Sequence, residues 1–263
     1  MGEAKLDRGA YLVEALAHCG ACHTPRNFLF AERGYDSRST LFLNGAMLGN
    51  WPAPDLRGPS SMVQESSAAA LADYLSGGRN ATSGAAGEMG LAIEHSLQYL
   101  PPEDLSALVS YVRAVRQERN GAITSTHRAT PAATTAKLSE ASPQLDLGSR
   151  LYLDNCNACH FVDGKGAAST FPQLDRNALV TALSPNGLIV VILDGAEMPS
   201  TASRPARLRM PGFGWRLTDE EVATLATFVR QGWSNNAAAV TPSDVAAVRK
   251  KLKSTAASQQ LSK

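Results

Sequence analysis

Cysteine occurs four times in this chain of 263 residues, and all four fall in two copies of one pattern: Cys19-Gly-Ala-Cys22-His23 and Cys156-Asn-Ala-Cys159-His160. Each copy places two thiols about one helical turn apart, with an imidazole directly after the second. Thiols so spaced reach the two vinyl groups on one edge of a porphyrin and form thioethers, and the following histidine then lies beneath the iron as its near ligand. The pattern therefore predicts two covalently bound haem c groups, at Cys19, Cys22 and His23 and at Cys156, Cys159 and His160. A zinc site would bring its cysteine pairs much closer than the 137 positions that separate these and would leave the histidines idle. A thioredoxin-like pair needs a βαβ setting, which neither motif has. Disulfides would not require an adjacent histidine twice.

The repetition extends beyond the cysteines. Gly9-Ala-Tyr11-Leu12 precedes the first motif, and Gly148-Ser-Arg-Leu151-Tyr152 precedes the second. Each reads as a short helix with an early glycine and an apolar face. Downstream, residues 102–113 and 219–230 match in register: Leu105, Leu108, Tyr111 and Val112 correspond to Val222, Leu225, Phe228 and Val229, all on one helical face. Thr218 and Glu221 form a capping box at the second copy. The glycines would let the first and last helices of each half cross closely, with Tyr111 or Phe228 at the crossing.

The expected fold is all-α, with two class I cytochrome c domains in tandem. Domain 1 spans 1–118 and domain 2 spans 144–236, joined by an Ala/Thr/Ser-rich linker over 119–143 that lies on the surface. His127 falls in that linker as a bystander. Residues 237–263 read as a basic, solvated tail, with a helical stretch over Val245–Leu252. Net charge is +1, but residues 1–118 carry 9 Lys+Arg against 13 Asp+Glu while 119–263 carry 16 against 11. That balance argues against nucleic acid as the main partner, because phosphate binding needs a concentrated basic surface. The tail's Arg249, Lys250, Lys251 and Lys253 could dock electrostatically on a partner or on anionic lipid.

Low-spin haem carriers fill the sixth iron position with methionine or a second histidine from a loop before the final helix, and methionine raises the potential. In domain 2 the candidates are Met198 and Met210. Met210 is favoured because it lies nearer the last helix and Pro211-Gly212 suit a tight loop. In domain 1 they are Met47, Met62 and Met89, with Met89 in the matching location and His95 as its rival. His18 is expected on the attachment helix, facing away from the iron. Phe171-Pro172-Gln-Leu174 and Ala53-Pro54-Asp-Leu56 look like counterparts, and a carbonyl of Pro172 or Pro54 could fix each near histidine by accepting its second ring N–H. The unequal separations imply an insertion of roughly residues 28–48 in domain 1. Arg79 and Arg26 are candidates to pair with haem propionates.

The stretches RGAYLVEALAHCGACHTPRN, WPAPDL, YLSGGRN, DNCNACH, FPQL and MPGFGWRLTDEEVATLATFVRQGW resemble the cytochrome c subunit of bacterial membrane-bound alcohol, gluconate, sorbitol and fructose dehydrogenases, over roughly residues 5–236. The resemblance supports Met89 and Met210, although GEMG stands where that family more often has proline before the methionine. Such subunits typically hold three haem domains, of which this chain resembles the second and third. What the resemblance implies is a non-catalytic electron-transfer subunit. Its partner would be a catalytic dehydrogenase subunit bearing flavin or quinone, and electrons would pass towards membrane ubiquinone or another respiratory acceptor.

Two further function classes are compatible with two haems. A dihaem peroxidase would need one iron without a fixed sixth ligand, and a free-standing carrier would need no dehydrogenase. The chain carries no flavin, nicotinamide or phosphate-binding fingerprint. Its longest apolar run, Leu188–Leu193, is far too short to span a bilayer. The start Met-Gly-Glu-Ala-Lys lacks an apolar segment of signal-peptide type. Haem attachment is extracytoplasmic, so the expectation is a periplasmic protein whose leader has been removed.

Overall fold

The computed structural model describes residues 2–58, 61–115 and 131–261. They divide into two compact units. Unit 1 comprises Met1–Asn80, Gly84–Thr124 and Met198–Arg207; unit 2 comprises Ala81–Ser83, Ser125–Glu197 and Leu208–Lys263. Neither is one unbroken stretch of chain.

Unit 1 opens with α1 (Gly2–Ala10), which runs into a π-helical turn over Tyr11–Leu16 and then into α2 (Cys19–His23). The π turn explains a difference between the two halves. Gly9 precedes Cys19 by ten positions and Gly148 precedes Cys156 by eight, and a wider turn absorbs extra residues without redirecting the helix. An antiparallel hairpin follows, with β1 (Asn44–Leu48) at the end of the segment predicted as an insertion and β2 (Trp51–Asp55) just beyond it, carrying Pro54. Then come α3 (Met62–Glu65), α4 (Ala68–Gly77), α5 (Gly87–His95) and α6 (Pro102–Ala114).

Helix α6 crosses α1 so closely that a Cβ on Gly9 would lie 2.3 Å from the Ala107 carbonyl oxygen. Leu12, Val13, Phe42, Leu43, Ile93, Leu108 and Val112 fill the core beneath, each at most 5% exposed. The segment Met198–Arg207 is tied to α5 and the turn after it: Ser200 N–H donates to Glu94 Oε2 at 3.1 Å, and Ala202 N–H to Gln98 Oε1 at 2.9 Å.

Unit 2 begins with α7 (Pro131–Glu140), which lies in the stretch expected to be linker. This helix is packed: Thr134 and Leu138 are buried, and Thr134 Oγ1 accepts from Trp233 N–H at 3.0 Å. Two inward residues four apart sufficed to dock a sequence whose composition reads as solvated. His127 lies outside the described residues. The attachment segment follows as α8 (Leu147–Asn155) and α9 (Asn157–His160), then α10 (Ala178–Thr181) and the apolar α11 (Asn186–Asp194). A minimal antiparallel pair, β3 (Ala196–Glu197) and β4 (Arg209–Met210), precedes α12 (Asp219–Gln231) and α13 (Pro242–Leu261).

The fold is thus helix-rich, with two short strand pairs beside the helices. Both strand pairs lie in segments that carry the chain past an attachment motif or up to a methionine. The capping box of α12 is present, with Glu221 N–H donating to Thr218 Oγ1 at 3.2 Å and Thr218 N–H to Glu221 Oε2 at 2.9 Å.

The tail departs most from expectation. Helix α13 buries Val245 and Val248, and Arg249 turns inward, donating to Asp219 Oδ1 at 2.7 Å, the Gly214 carbonyl at 2.6 Å and the Leu217 carbonyl at 2.9 Å. Sequence reading missed this because the buried apolar positions among the helix's described side chains are Val245 and Val248, three apart, followed directly by a basic run. No helix among the described residues is long and apolar enough to cross a membrane.

Candidate haem-attachment sites

In unit 1 the motif forms its own short helix. His18 precedes it in a left-handed conformation (φ +49°), which breaks the incoming π turn and starts α2 afresh. Glycine at position 20 has a steric reason: a Cβ there would sit 2.8 Å from Glu32 Oε2 and 3.0 Å from the Phe42 ring. Thr24, fully buried, closes the helix by donating its N–H to Gly20 O at 2.9 Å, and its Oγ1 accepts Leu43 N–H at 3.1 Å. Strand β2 brings the Pro54 carbonyl oxygen to 2.9 Å from His23 Nδ1.

In unit 2 the His160 Nδ1 lies 2.8 Å from the Pro172 carbonyl oxygen. Gly166, at φ +61°, makes that approach possible, since a Cβ there would lie 2.2 Å from the Phe171 oxygen and 2.8 Å from the Pro172 oxygen. The sequence reading did not single out Gly166. It also missed a clamp on the backbone just after His160, where Tyr152 Oη donates to the Phe161 carbonyl at 2.6 Å and Trp233 Nε1 to the Val162 carbonyl at 3.0 Å.

A carbonyl oxygen can only accept, so Nδ1 must carry the proton in both histidines. Each Nε2 is then left with a free lone pair, the form a metal ligand needs. Burial pulls both imidazole pKa values below the ordinary histidine range, opposed by the carbonyl bond, so both rings are neutral at physiological pH. All four cysteines are free of disulfides. Burial pushes Cys19 up to about 11 and Cys156 up to about 12, an environment that keeps thiols protonated. Among the described residues no three His, Cys, Asp or Glu side chains converge as a bare metal ion would require. The donor set thus fits a porphyrin held by thioethers and one imidazole, and it does not fit a thiolate zinc site.

The far-ligand candidates separate by position. Met89, on α5, is partly buried against the core of unit 1. The start of its helix packs on β2, where a Cβ on Gly87 would lie 2.9 Å from the Trp51 ring. His95 is exposed at the far end of α5. Met47 is 42% exposed, and Met62 packs on the core from α3.

Met210 lies in unit 2, on β4, and the loop after it is bonded to the end of α11 through Phe213 N–H to Ile192 O at 2.8 Å and Gly214 N–H to Leu193 O at 2.9 Å. Met198 belongs instead to unit 1, with its sulfur 4.0 Å from an Arg79 guanidinium nitrogen. Arg79 Nε is buried without a partner among the described residues, an orphaned donor that a propionate would satisfy. Arg26 is already engaged, giving one hydrogen bond each to the Phe30 and Ala21 carbonyls at 2.6 Å.

A family model described as Cytochrome c matches residues 145–233. Cytochrome c6 of Gracilaria tenuistipitata var. liui is 30% identical over 93 residues, covering 34% of this chain and 77% of that protein. The chain belongs to the cytochrome c family. Over nearly its whole length this cytochrome is also similar to the fructose dehydrogenase cytochrome subunit of Gluconobacter japonicus, at 38% identity over 259 residues (92% of this chain, 52% of that one). The gluconate 2-dehydrogenase cytochrome c subunit of Pantoea cypripedii is 35% identical over 251 residues (93% of this chain, 56% of that one). The cytochrome spans about half the length of these dehydrogenase subunits.

Proposed function

We propose that this cytochrome is a two-haem electron-transfer subunit: two class I domains in tandem, each with one covalently bound haem c, acting in the periplasm and not as a catalyst itself. Its donor is a catalytic dehydrogenase subunit carrying flavin or quinone, and its acceptor is ubiquinone or another respiratory carrier. The observation that carries this reading is the same bond made twice, His23 Nδ1 to Pro54 O and His160 Nδ1 to Pro172 O. A second Cys-x-x-Cys-His without a ligand-competent histidine would be a relic, whereas both are oriented alike. The similarity to two dehydrogenase cytochrome subunits supports the choice of partner.

Bound haem supplies a one-electron couple at each iron. The chain's own residues bind, orient and shield it. Cys19 and Cys22, and Cys156 and Cys159, would hold a porphyrin through thioethers; His23 and His160 would each ligate its iron, and Met89 and Met210 would supply the second ligand. Arg79 neutralises a propionate in domain 1. The carbonyls of Pro54 and Pro172 hold the imidazoles in one tautomer and increase their basicity. Within the former tail, the exposed Lys250 and Lys253 remain to meet an acidic partner or a membrane surface, since Arg249 is used internally.

The test is a pyridine haemochrome count and a redox titration on natively matured protein. Two haems per chain and two resolved midpoint potentials are expected, with no carbon monoxide binding to the reduced form. One haem per chain, or rapid carbon monoxide binding and peroxide turnover, would overturn the reading. Co-purification with a dehydrogenase subunit tests the partner.

A further inference from the structure

Directly after the first attachment helix the chain turns back on itself around residues 27–31. Phe28, Leu29 and Phe30 are 88%, 71% and 79% exposed. Single exposed apolar side chains are normal, but three bulky ones in succession at a tip are not. The turn is held rigidly. Arg26 and Glu32 pair as an antiparallel bridge, Asn27 N–H donates to Ala31 O at 2.9 Å, and Phe30 N–H donates to Asn27 O at 3.0 Å. Asn27 Oδ1 accepts from Leu29 N–H at 2.9 Å and Ala31 N–H at 3.1 Å. Arg26 takes up the Phe30 carbonyl, with Phe30 at φ +61°, a conformation bulky residues rarely adopt. The tip is thus displayed by construction, not left loose.

We propose that this tip is a lipid-insertion element, seating Phe28, Leu29 and Phe30 in the interfacial zone of a bilayer with anionic headgroups. The backbone bonds carry the argument. An element that enters hydrocarbon must satisfy its own polar groups, because the medium offers no partner. Here the N–H groups of residues 27, 29, 30 and 31 all have internal acceptors, the Asn27 side-chain oxygen is consumed and the Phe30 carbonyl is covered, while the Phe28 N–H and the Phe28 and Leu29 carbonyls, without a partner among the described residues, are left to the water and headgroups of the interfacial zone. The charges at the base fit anionic headgroups. Arg33 is exposed there, its backbone N–H bonded to Pro25 O at 2.9 Å. Glu32, the one carboxylate of the hairpin, turns back towards Gly20. Tyr35, 68% exposed, is of the aromatic type enriched at membrane interfaces.

Size points the same way. An aromatic side chain buries roughly 150–250 Å², so three bulky apolar residues fall short of the roughly 800 Å² per partner in a stable protein interface. Arg26 also bonds the Ala21 carbonyl inside the attachment motif at 2.6 Å, so the inserted tip would hold the first haem site at the membrane surface. Insertion is independent of the relay reading above.

Sedimentation of the holoprotein with vesicles tests it, using phosphatidylcholine alone and phosphatidylcholine with a quarter phosphatidylglycerol. The native protein is expected to bind the anionic vesicles. Phe28→Ser/Leu29→Ser/Phe30→Ser should lose about tenfold or more in partitioning, since apolar burial scales with area. Phe28→Ser alone, at the most exposed position, should lose part of that while leaving the fold unchanged. Arg33→Gln should weaken binding to anionic vesicles only. The haem count and potentials of all three variants should match the native protein, which separates this test from that of the relay. Absence of native binding, or equal binding by the Ser variants, would overturn the proposal. So would slower reduction of the Ser variants by a dehydrogenase subunit with unchanged vesicle binding, which would make the tip a protein contact.

Discussion

Gly9 and Tyr111 share one space: a Cβ built on Gly9 would stand 2.5 Å from the Cβ of Tyr111, across the crossing of α1 and α6. In unit 2 the equivalent pair is looser, with a Cβ on Gly148 3.0 Å from the Cβ of Phe228. Gly9→Ala is therefore expected to destabilise unit 1 by about 1–3 kcal/mol, as for an overpacked core. Gly148→Ala is expected near neutral, because a helix-propensity gain of up to ~1 kcal/mol offsets the tighter contact. Denaturant unfolding of the two holoprotein variants measures the contrast, and equal costs would refute it.

Met210→His is expected to lower one of two midpoint potentials and leave the other in place, because a second imidazole favours the oxidised iron relative to a thioether. Met198→His, in the other unit, should leave the domain 2 potential unchanged. If Met198→His moved that potential and Met210→His did not, the assignment would reverse.

Arg249→Ala removes a guanidinium that donates to a carboxylate and two carbonyls while only 22% of its side chain is exposed. A loss of about 1.5–3 kcal/mol is expected, the range for hydrogen bonds to charged groups. A freely solvated tail would predict no change in unfolding midpoint.

Asp146 caps α8, accepting Ser149 N–H on Oδ1 at 3.0 Å. Despite an opposing desolvation effect, its pKa is drawn down to about 2, by the Lys137 ammonium and by bonds from the Ser149 backbone and hydroxyl. A depressed folded-state value means the contribution is fully present above the unfolded pKa near 3.9 and disappears as pH falls through about 2. Asp146→Ala should cost roughly 0.5–2 kcal/mol at neutral pH, the usual value of an N-cap. The difference from the native protein should vanish in acid, and a gap that persists there would show that the cap acts without its charge.

The two Cys-x-x-Cys-His motifs, the paired helices with identical apolar spacing and the capping box of α12 were all legible in the residues, because each is a local pattern whose chemistry depends on neighbours within a turn or two. Long-range geometry was not. Nothing in the spacing announced that Met198 would fall in the first unit and Met210 in the second, or that Tyr152 and Trp233, 81 positions apart, would bond successive carbonyls after His160. Nor did composition reveal that 131–140 and 242–261 form helices with inward side chains, Thr134 and Leu138 in one and Val245 and Val248 in the other, because both stretches are dominated by small, polar or basic residues. The sequence alone determined the cofactor chemistry, because covalent attachment needs only a short run of residues. Which side chains face that chemistry was decided by tertiary structure, because burial and carbonyl direction exist only once distant segments are packed together.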